Sequence, residues 1–170
     1  LCLVGSEMCI RDSYNVVSAF IKSIRGSDPQ ASVYYLARMI EGGEDVKFIA
    51  RRLIISAAED IGLANPNALM MANETFSAVE RVGWPESRII LSQCVIYLAT
   101  SPKSNSAYKA INTAQEEVRQ SGALPIPNAL KNAPTELAKD LGHSKGYLYS
   151  HDYPDNFVKQ EFLPEELLSL

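Results

Sequence analysis

The amino-acid sequence predicts an all-α fold, and three observations carry that prediction. Apolar residues recur at helical spacing, as where Val33, Leu36, Ala37 and Ile40 fall on one face of a helix. Prolines or capping residues open the periodic segments, and glycines close them. No alternation with a period of two runs longer than about five residues, and no Asn-Gly or Asp-Gly hairpin turn occurs.

This punctuation predicts seven helices along the chain. The first runs from Val16 to Arg25 and is closed by Gly26. Ser27 and Gln30 match a capping box at the start of the second helix, with a proline in its first turn. The remaining helices are predicted at about residues 44–62, 65–83, 85–101, 104–122 and 134–142, and the second runs to Gly42-Gly43.

Two of the predicted helices are apolar on more than one face. These are the segments 46–61 and 88–99, and such helices usually lie at the centre of a bundle. A single-layer bundle of this size encloses about one helix of that kind, so we expect apolar surface to remain available for association.

The composition changes after Gly122. Leu124-Pro125-Ile126-Pro127 is predicted to be extended, because a proline disfavours helical geometry in the residue before it. From Gly142 the chain is rich in Gly, Tyr, His, Asp and Pro, which predicts an irregular strap over the bundle. Its aromatic rings are expected to be packed; they belong to Tyr147, Tyr149, Tyr153, Phe157 and Phe162.

The first thirteen residues, LCLVGSEMCIRDS, differ from the rest of the chain. They hold two of the three cysteines, and their apolar run is too short for a signal peptide and follows no basic residue. The string resembles translated adaptor or vector sequence. We therefore expect residues 1–13 to be a non-native leader and residues 14–170 to be a helical domain of a protein that continues upstream.

Charge and composition exclude several classes of protein. The net charge of −4 argues against a main duplex-binding surface, since phosphate neutralisation needs a basic excess. No apolar run approaches the roughly 20 residues that cross a bilayer, which predicts a soluble protein without a membrane partner. The cysteines, Cys2, Cys9 and Cys94, form no CxxC pair, so neither a disulfide framework nor a zinc site is predicted and the cytoplasm is the expected compartment. Cys94 lies in an apolar run and is expected to be buried rather than nucleophilic.

A nucleotide-binding site is not predicted within this chain. Neither GxxxxGK[ST] nor GxGxxG occurs, and Gly42-Gly43 is a better helix stop than a phosphate loop. His143 and the pair His151-Asp152 suggest metal or acid–base chemistry, but no third ligand stands at a useful spacing. Structural histidines are the favoured interpretation over a free-standing enzyme.

The remaining charged motifs are each open to a structural and a functional interpretation. The adjacent acids Glu59-Asp60 and Glu116-Glu117 diverge on a helix, which favours solvated or salt-bridged acids over catalysis. Arg51-Arg52 lies between apolar turns and needs partners, for which Glu59, Asp60 or Glu80 are candidates, with phosphate recognition as the alternative. A modest DNA-contacting patch is a weaker possibility for the lysines Lys103, Lys109 and Lys131.

Four strings make the sequence similar to a known family. Ser-Ile-Arg-Gly-Ser-Asp-Pro (23–29), Ala-Glu-Asp-Ile-Gly-Leu-Ala (58–64), Pro-Lys-Ser-Asn (102–105) and His-Asp-Tyr-Pro (151–154) resemble the C-terminal region of RarA/MgsA-type replication-associated recombination ATPases. The Werner-helicase-interacting ATPase belongs to the same group. The resemblance covers residues 14–168 in family order.

The resemblance implies a domain that resembles a clamp-loader collar and holds an AAA+ ATPase as a homotetramer at stalled replication forks. ATP and magnesium would bind an upstream AAA+ module, so no catalytic, cofactor-binding or metal-binding residue is assigned to this chain. Single-strand DNA-binding protein (SSB) and DNA are implied partners of the longer protein, which is expected in the bacterial cytoplasm at the nucleoid. The alternative hypothesis is a monomeric helical module that binds DNA or SSB.

Overall fold

A computed structural model of the chain describes the backbone of residues 6–168 and the side-chain surroundings of residues 14–168. This part of the chain contains seven α-helices and no β-strand, which confirms the predicted all-α class. The chain divides into two compact units, Leu1–Thr113 and Ala114–Leu170. We refer to them as the bundle and the C-terminal unit.

Five helices lie wholly in the bundle, α6 contains the division between the units, and α7 lies in the C-terminal unit. Their bounds are α1 Ser6–Arg25, α2 Pro29–Glu41, α3 Val46–Ser56, α4 Asn67–Val82, α5 Ser87–Thr100, α6 Ser106–Ser121 and α7 Glu136–Asp140.

The predicted start of α1 at Val16 is wrong, because the helix already begins at Ser6. No glycine or proline stands between these two residues to interrupt a helix. Residues 1–5 of the expected leader lie outside the described residues. That residues 1–13 are non-native stays a prediction.

The capping residue of α2 also differs from the prediction. Asp28 is the N-cap, and its Oδ1 accepts a hydrogen bond from the backbone N–H of Ala31 at 2.9 Å. Pro29 in the first turn keeps Asp28 extended, which is the geometry an N-cap needs. Ser27 instead has a φ of 61°, and its hydroxyl has another partner that is described below.

The core of the bundle is built around the two helices that the sequence predicts to be central. α5 contacts α1, α2, α3 and α4. The largest fully buried side chains come from α1, from α3 with the turn after it, from α4 and from α5. They include Phe20, Ile24, Ile49, Leu53, Ile61, Val79, Leu91, Val95 and Leu98. Burying a Leu, Ile or Phe side chain contributes about 1.5–3 kcal/mol, so these contacts dominate the stability of the bundle.

The predicted helix 44–62 changes its hydrogen-bonding pattern near its end. Asp45 caps α3 by accepting from the N–H of Lys47 at 3.0 Å, and after Ser56 the chain continues as a π-helical turn, Ala57–Ile61. Gly62 then closes the turn with φ 47° and ψ −127°, a conformation that side chains disfavour. π-Helical turns are rare and occur frequently at functional sites.

The C-terminal unit is held by local hydrogen bonds. The Ser144 N–H donates to the carbonyl of Asn128 at 2.8 Å, and the Ser144 hydroxyl donates to the carbonyl of Lys131 at 2.6 Å. The Gln160 amide accepts from the Leu148 N–H at 3.0 Å and donates to the Leu148 carbonyl at 3.1 Å. This pair of bonds closes the loop between residues 148 and 160.

The prediction that the aromatic rings of the strap are packed is not confirmed. Tyr149, Phe157 and Phe162 are all more than half exposed, and Phe157 reaches 74%. The segment is irregular, as predicted, but its path is set by 3₁₀ turns at Ser150–Asp152 and Pro154–Asn156 and by the Gln160 hydrogen bonds. Ring burial therefore contributes little to its conformation.

Candidate functional site

A group of charged side chains lies where α1 ends. Arg25, the last residue of α1, donates from Nε to Asp60 Oδ1 at 2.5 Å and from Nη2 to Glu59 Oε1 at 3.4 Å. Asp60 Oδ2 accepts from the Ser56 hydroxyl at 3.0 Å. The Asp60 side chain is only 5% exposed, whereas that of Arg25 is 50% exposed. A buried carboxylate is thus neutralised by a cation that reaches it from the surface.

The linker between α5 and α6 is bound to the same turn. The Ser104 N–H donates to the backbone carbonyl of Asp60 at 2.8 Å. On the other side of the turn, a Cβ placed on Gly62 would meet the Ser104 carbonyl oxygen at 3.0 Å. Gly62 therefore allows the linker to approach the π-helical turn more closely than any other residue would.

Lys103, the residue before Ser104, also fixes the linker. Its Nζ donates to the carbonyls of Ala99 at 2.9 Å and Ser101 at 2.6 Å, and to the Ser27 hydroxyl at 3.0 Å. The two carbonyls lie at the C-terminal end of α5, where a cation complements the helix dipole. Lys103 thereby ties this end of α5 to the turn between α1 and α2.

These groups surround an open cavity of about 440 Å³. It is lined by Arg25, Glu59, Asp60, Lys103, Ser104 and Tyr108, among others. Two cations and two carboxylates balance in charge, and each already has a hydrogen-bond partner within the bundle. The cavity is better described as a polar junction between three chain segments than as a ligand site.

The charges of the junction are coupled. The hydrogen bond to Asp60 raises the pKa of the Arg25 guanidinium, and the charges of Asp60 and Glu59 act in the same direction against partial burial. Burial lowers the pKa of the Lys103 ammonium, which the charge of Asp60 partly offsets. Asp60 therefore stabilises both neighbouring cations.

The acidic pairs are salt-bridged, as the sequence favours, but the partners predicted for Arg51 and Arg52 are wrong. Glu59 and Asp60 bind Arg25, and Glu80 binds Lys47 at 2.9 Å. Arg51 lies 3.7 Å from Asp45 at the start of its own helix. The buried Nε atom of Arg52 has no hydrogen-bond partner in the part of the chain that the structure describes. The π-helical turn places the carboxylates of Glu59 and Asp60 against Arg25 of α1. Helical periodicity in the sequence does not predict this placement.

The second predicted pair, Glu116-Glu117, lies on the exposed α6. Glu116 binds Arg119 at 3.1 Å and the amide of Gln120 at 2.9 Å on its own helix. This is the surface ion pairing that the sequence favours for it.

The histidines do not form a metal site with other residues that the structure describes, since these contain no cluster of three His, Cys, Asp or Glu side chains. His143 Nδ1 lies 3.3 Å from the Asn132 carbonyl, and His151 Nδ1 lies 3.0 Å from Asn156 Oδ1. The ring of His151 also packs against Tyr149 with 5.2 Å between ring centroids. Both contacts are structural.

Two of the three lysines of the predicted patch are engaged by hydrogen bonds within their own units. The Lys103 ammonium is taken up by its three oxygen partners, and Lys131 bonds Asn128 Oδ1 at 2.7 Å within the C-terminal unit. Lys109 lies exposed on α6.

Cys94 is fully buried, as predicted, and burial raises the pKa of its thiol although a hydrogen bond with Thr75 opposes this. A buried, protonated thiol is a poor nucleophile.

The sequence analysis did not identify Arg25 as the partner of Asp60. One signal could have identified it: Asp60 ends a long apolar run and must be buried, so a cation had to reach it from another helix. Three of the four strings that carry the family resemblance contribute to this junction, with Arg25 and Ser27, Asp60 and Gly62, and Lys103 and Ser104.

The geometry of the junction does not identify a protein family, but comparison with known families does. Residues 26–170 match the family model described as "MgsA AAA+ ATPase C terminal". The chain belongs to this family. The resemblance seen in the sequence is thus confirmed, and the match includes all of the bundle after α1 and the whole C-terminal unit.

Relatives of this MgsA C-terminal domain carry matching names. Replication-associated recombination protein A of Bacillus subtilis is 48% identical over 154 residues, which is 91% of this chain and 36% of that protein. The protein of the same name from Coxiella burnetii is 46% identical over 156 residues, 91% of this chain and 36% of that protein. ATPase WRNIP1 of Dictyostelium discoideum is 41% identical and is covered over 18% of its length. The chain therefore spans about a third or less of these relatives.

None of the described helices combines the length and the apolar character that a membrane-spanning segment needs.

Proposed function

We propose that this chain is the assembly domain of a clamp-loader-like AAA+ ATPase and associates into a homotetramer through the apolar surface of its bundle. The observation that carries the proposal is on α5. Ile89 and Ile96 stand two helical turns apart on the same side and are 57% and 45% exposed, although α5 also provides much of the buried core. A helix that is buried on one side and apolar on the other is suited to pack against a second copy.

The proposal for the longer protein follows from its relatives. Replication-associated recombination protein A and ATPase WRNIP1 are the names of proteins that this chain matches over 91% of its length. We propose that the longer protein hydrolyses ATP with magnesium in an upstream AAA+ module and acts on DNA at stalled forks in the bacterial cytoplasm, with SSB as a partner. This chain has no phosphate-binding loop motif, so its own proposed role is limited to assembly.

The test is the mass of the chain in solution, measured by multi-angle light scattering at micromolar concentration in low salt and in 0.5 M salt. We expect a tetramer in both, because salt screens ion pairs far more than it weakens apolar burial. A monomer at both salt concentrations would contradict the proposal and leave the monomeric DNA- or SSB-binding module as the better hypothesis. A tetramer that dissociates in salt would support assembly but refute the apolar interface.

A matched pair of variants locates the interface. The double variant I89D/I96D places two charges on the open side of α5 and should yield monomers that remain helical by circular dichroism. I55D introduces the same chemistry at an exposed isoleucine of α3 and serves as the control. Dissociation by I55D alone would assign the interface to α3 instead.

A further inference from the structure

The start of α6 depends on the linker that precedes it. None of the residues of α6 is buried, so the helix has no apolar side chain anchored in the core. The linker, Ser101–Asn105, is by contrast bound through two neighbouring residues, by the Lys103 ammonium and by the Ser104 N–H. The polar contacts of the linker therefore set the position of the first turn of α6 relative to the other helices of the bundle.

We propose that Arg25, the π-helical turn Ala57–Ile61, Gly62 and the linker form a latch that fixes the linker, and with it the start of α6, on the π-helical turn and can open without unfolding the core. Arg25 fixes the turn through Asp60, and the Asp60 carbonyl holds Ser104. Release of this one backbone hydrogen bond and of the Gly62 approach frees Ser104 from the π-helical turn, while the residues that bury most apolar surface keep their contacts.

The latch is built to be opened more easily than the core. Its contact with the linker is a single backbone hydrogen bond, whose net contribution is small because water competes for both groups. Arg25 is half exposed, so its guanidinium can leave the buried Asp60 carboxylate from the surface, and that carboxylate keeps its hydrogen bond from the Ser56 hydroxyl. Regions of this kind open locally at a lower free energy than the global unfolding of a domain. The inference concerns the bundle alone and is independent of self-association.

Two glycines supply a matched test. Gly62 and Gly83 both end helical segments with positive φ, 47° and 72°, and strongly negative ψ, −127° and −167°. A Cβ on Gly62 meets the Ser104 carbonyl, whereas a Cβ on Gly83 meets nothing within 4 Å. G62A therefore strains the backbone and also displaces the linker, while G83A strains the backbone alone.

The experiment measures the linker and α6 separately in the full chain. Hydrogen exchange reports the Ser104 amide, which should exchange about tenfold faster in G62A and R25A than in the parent chain and be unchanged in G83A. Spin labels at R88C and K109C, in a chain with its native cysteines replaced, report the distance from α5 to α6. The labelled chain is diluted with unlabelled chain so that only pairs within one chain contribute.

We expect the distance distribution to broaden in G62A and R25A and to stay narrow in G83A. Equal effects of G62A and G83A on the Ser104 amide would overturn the latch, because backbone strain alone would then explain them. If G62A does not fold into a cooperatively unfolding protein, R25A alone is used for the test. A narrow distribution and a protected Ser104 amide in R25A would also overturn the proposal.

Discussion

The bundle and the C-terminal unit of this chain are stabilised in different ways. The bundle has a continuous apolar core drawn from five helices, whereas none of the described residues from 114 to 168 is fully buried. The C-terminal unit depends on turns and on hydrogen bonds such as those of Ser144 and Gln160. Since a buried leucine contributes more than a net hydrogen bond, the two units should respond differently to the same kind of substitution.

The largest expected difference comes from truncating one leucine in each unit. Leu98 is fully buried in α5, and L98A should lower the free energy of unfolding of the bundle by about 2–5 kcal/mol through lost burial and the cavity it leaves. Leu130 is only partly buried, and L130A should cost about 1 kcal/mol or less. Urea unfolding followed by circular dichroism, at one fixed protein concentration, measures both values.

Hydrogen exchange read separately for residues 14–113 and 114–168 assigns each loss to its unit. If L130A lowered the free energy of unfolding as much as L98A does, the proposed difference between the two units would be wrong. The C-terminal unit would then have an apolar core of its own.

The helices of the bundle could be predicted from sequence because their signals are local. Apolar periodicity and the glycines that end helices lie within each segment, so the ends of α2, α4 and α5, and of α3 together with its π-helical turn, fall within a few residues of their predicted positions. The central place of α3 and α5 followed in the same way, from side chains such as Leu53 and Leu98 that had to be buried.

The errors arose where a distant segment or a backbone detail decides the outcome. The partner of Asp60 is Arg25, thirty-five residues away, and no local pattern pairs them. The π-helical turn and the choice of Asp28 over Ser27 as a cap are backbone choices that periodicity does not resolve. The exposure of Phe157 was missed because aromatic content was assumed to require burial within this chain.

A smaller effect is expected from the hydrogen bonds that close the loop 148–160. Q160A removes both bonds to Leu148 and should lower the local stability of the C-terminal unit by about 1 kcal/mol, with no change in the unfolding of the bundle. Limited proteolysis should cut the loop near Asp155 and Asn156, which have positive φ, several-fold faster than in the parent chain. Q115A, an exposed glutamine on α6, is the control. An unchanged cleavage rate in Q160A would mean that the turns alone hold the loop.

The smallest predicted effect is the loss of an exposed ion pair, and we expect it to be equally small in the bundle and in the C-terminal unit. Lys47 pairs with Glu80 between α3 and α4 at 2.9 Å, and Lys139 pairs with Glu136 within α7 at 3.0 Å. All four side chains are at least 44% exposed, so water and salt screen both pairs. We expect K47A and K139A each to change the free energy of unfolding by about 0.5 kcal/mol or less, and the difference to vanish in 0.5 M salt. If K139A proved clearly more costly than K47A, charge rather than hydrogen-bonded turns would hold the C-terminal unit. Equal small effects would leave apolar burial as the property that separates the two units.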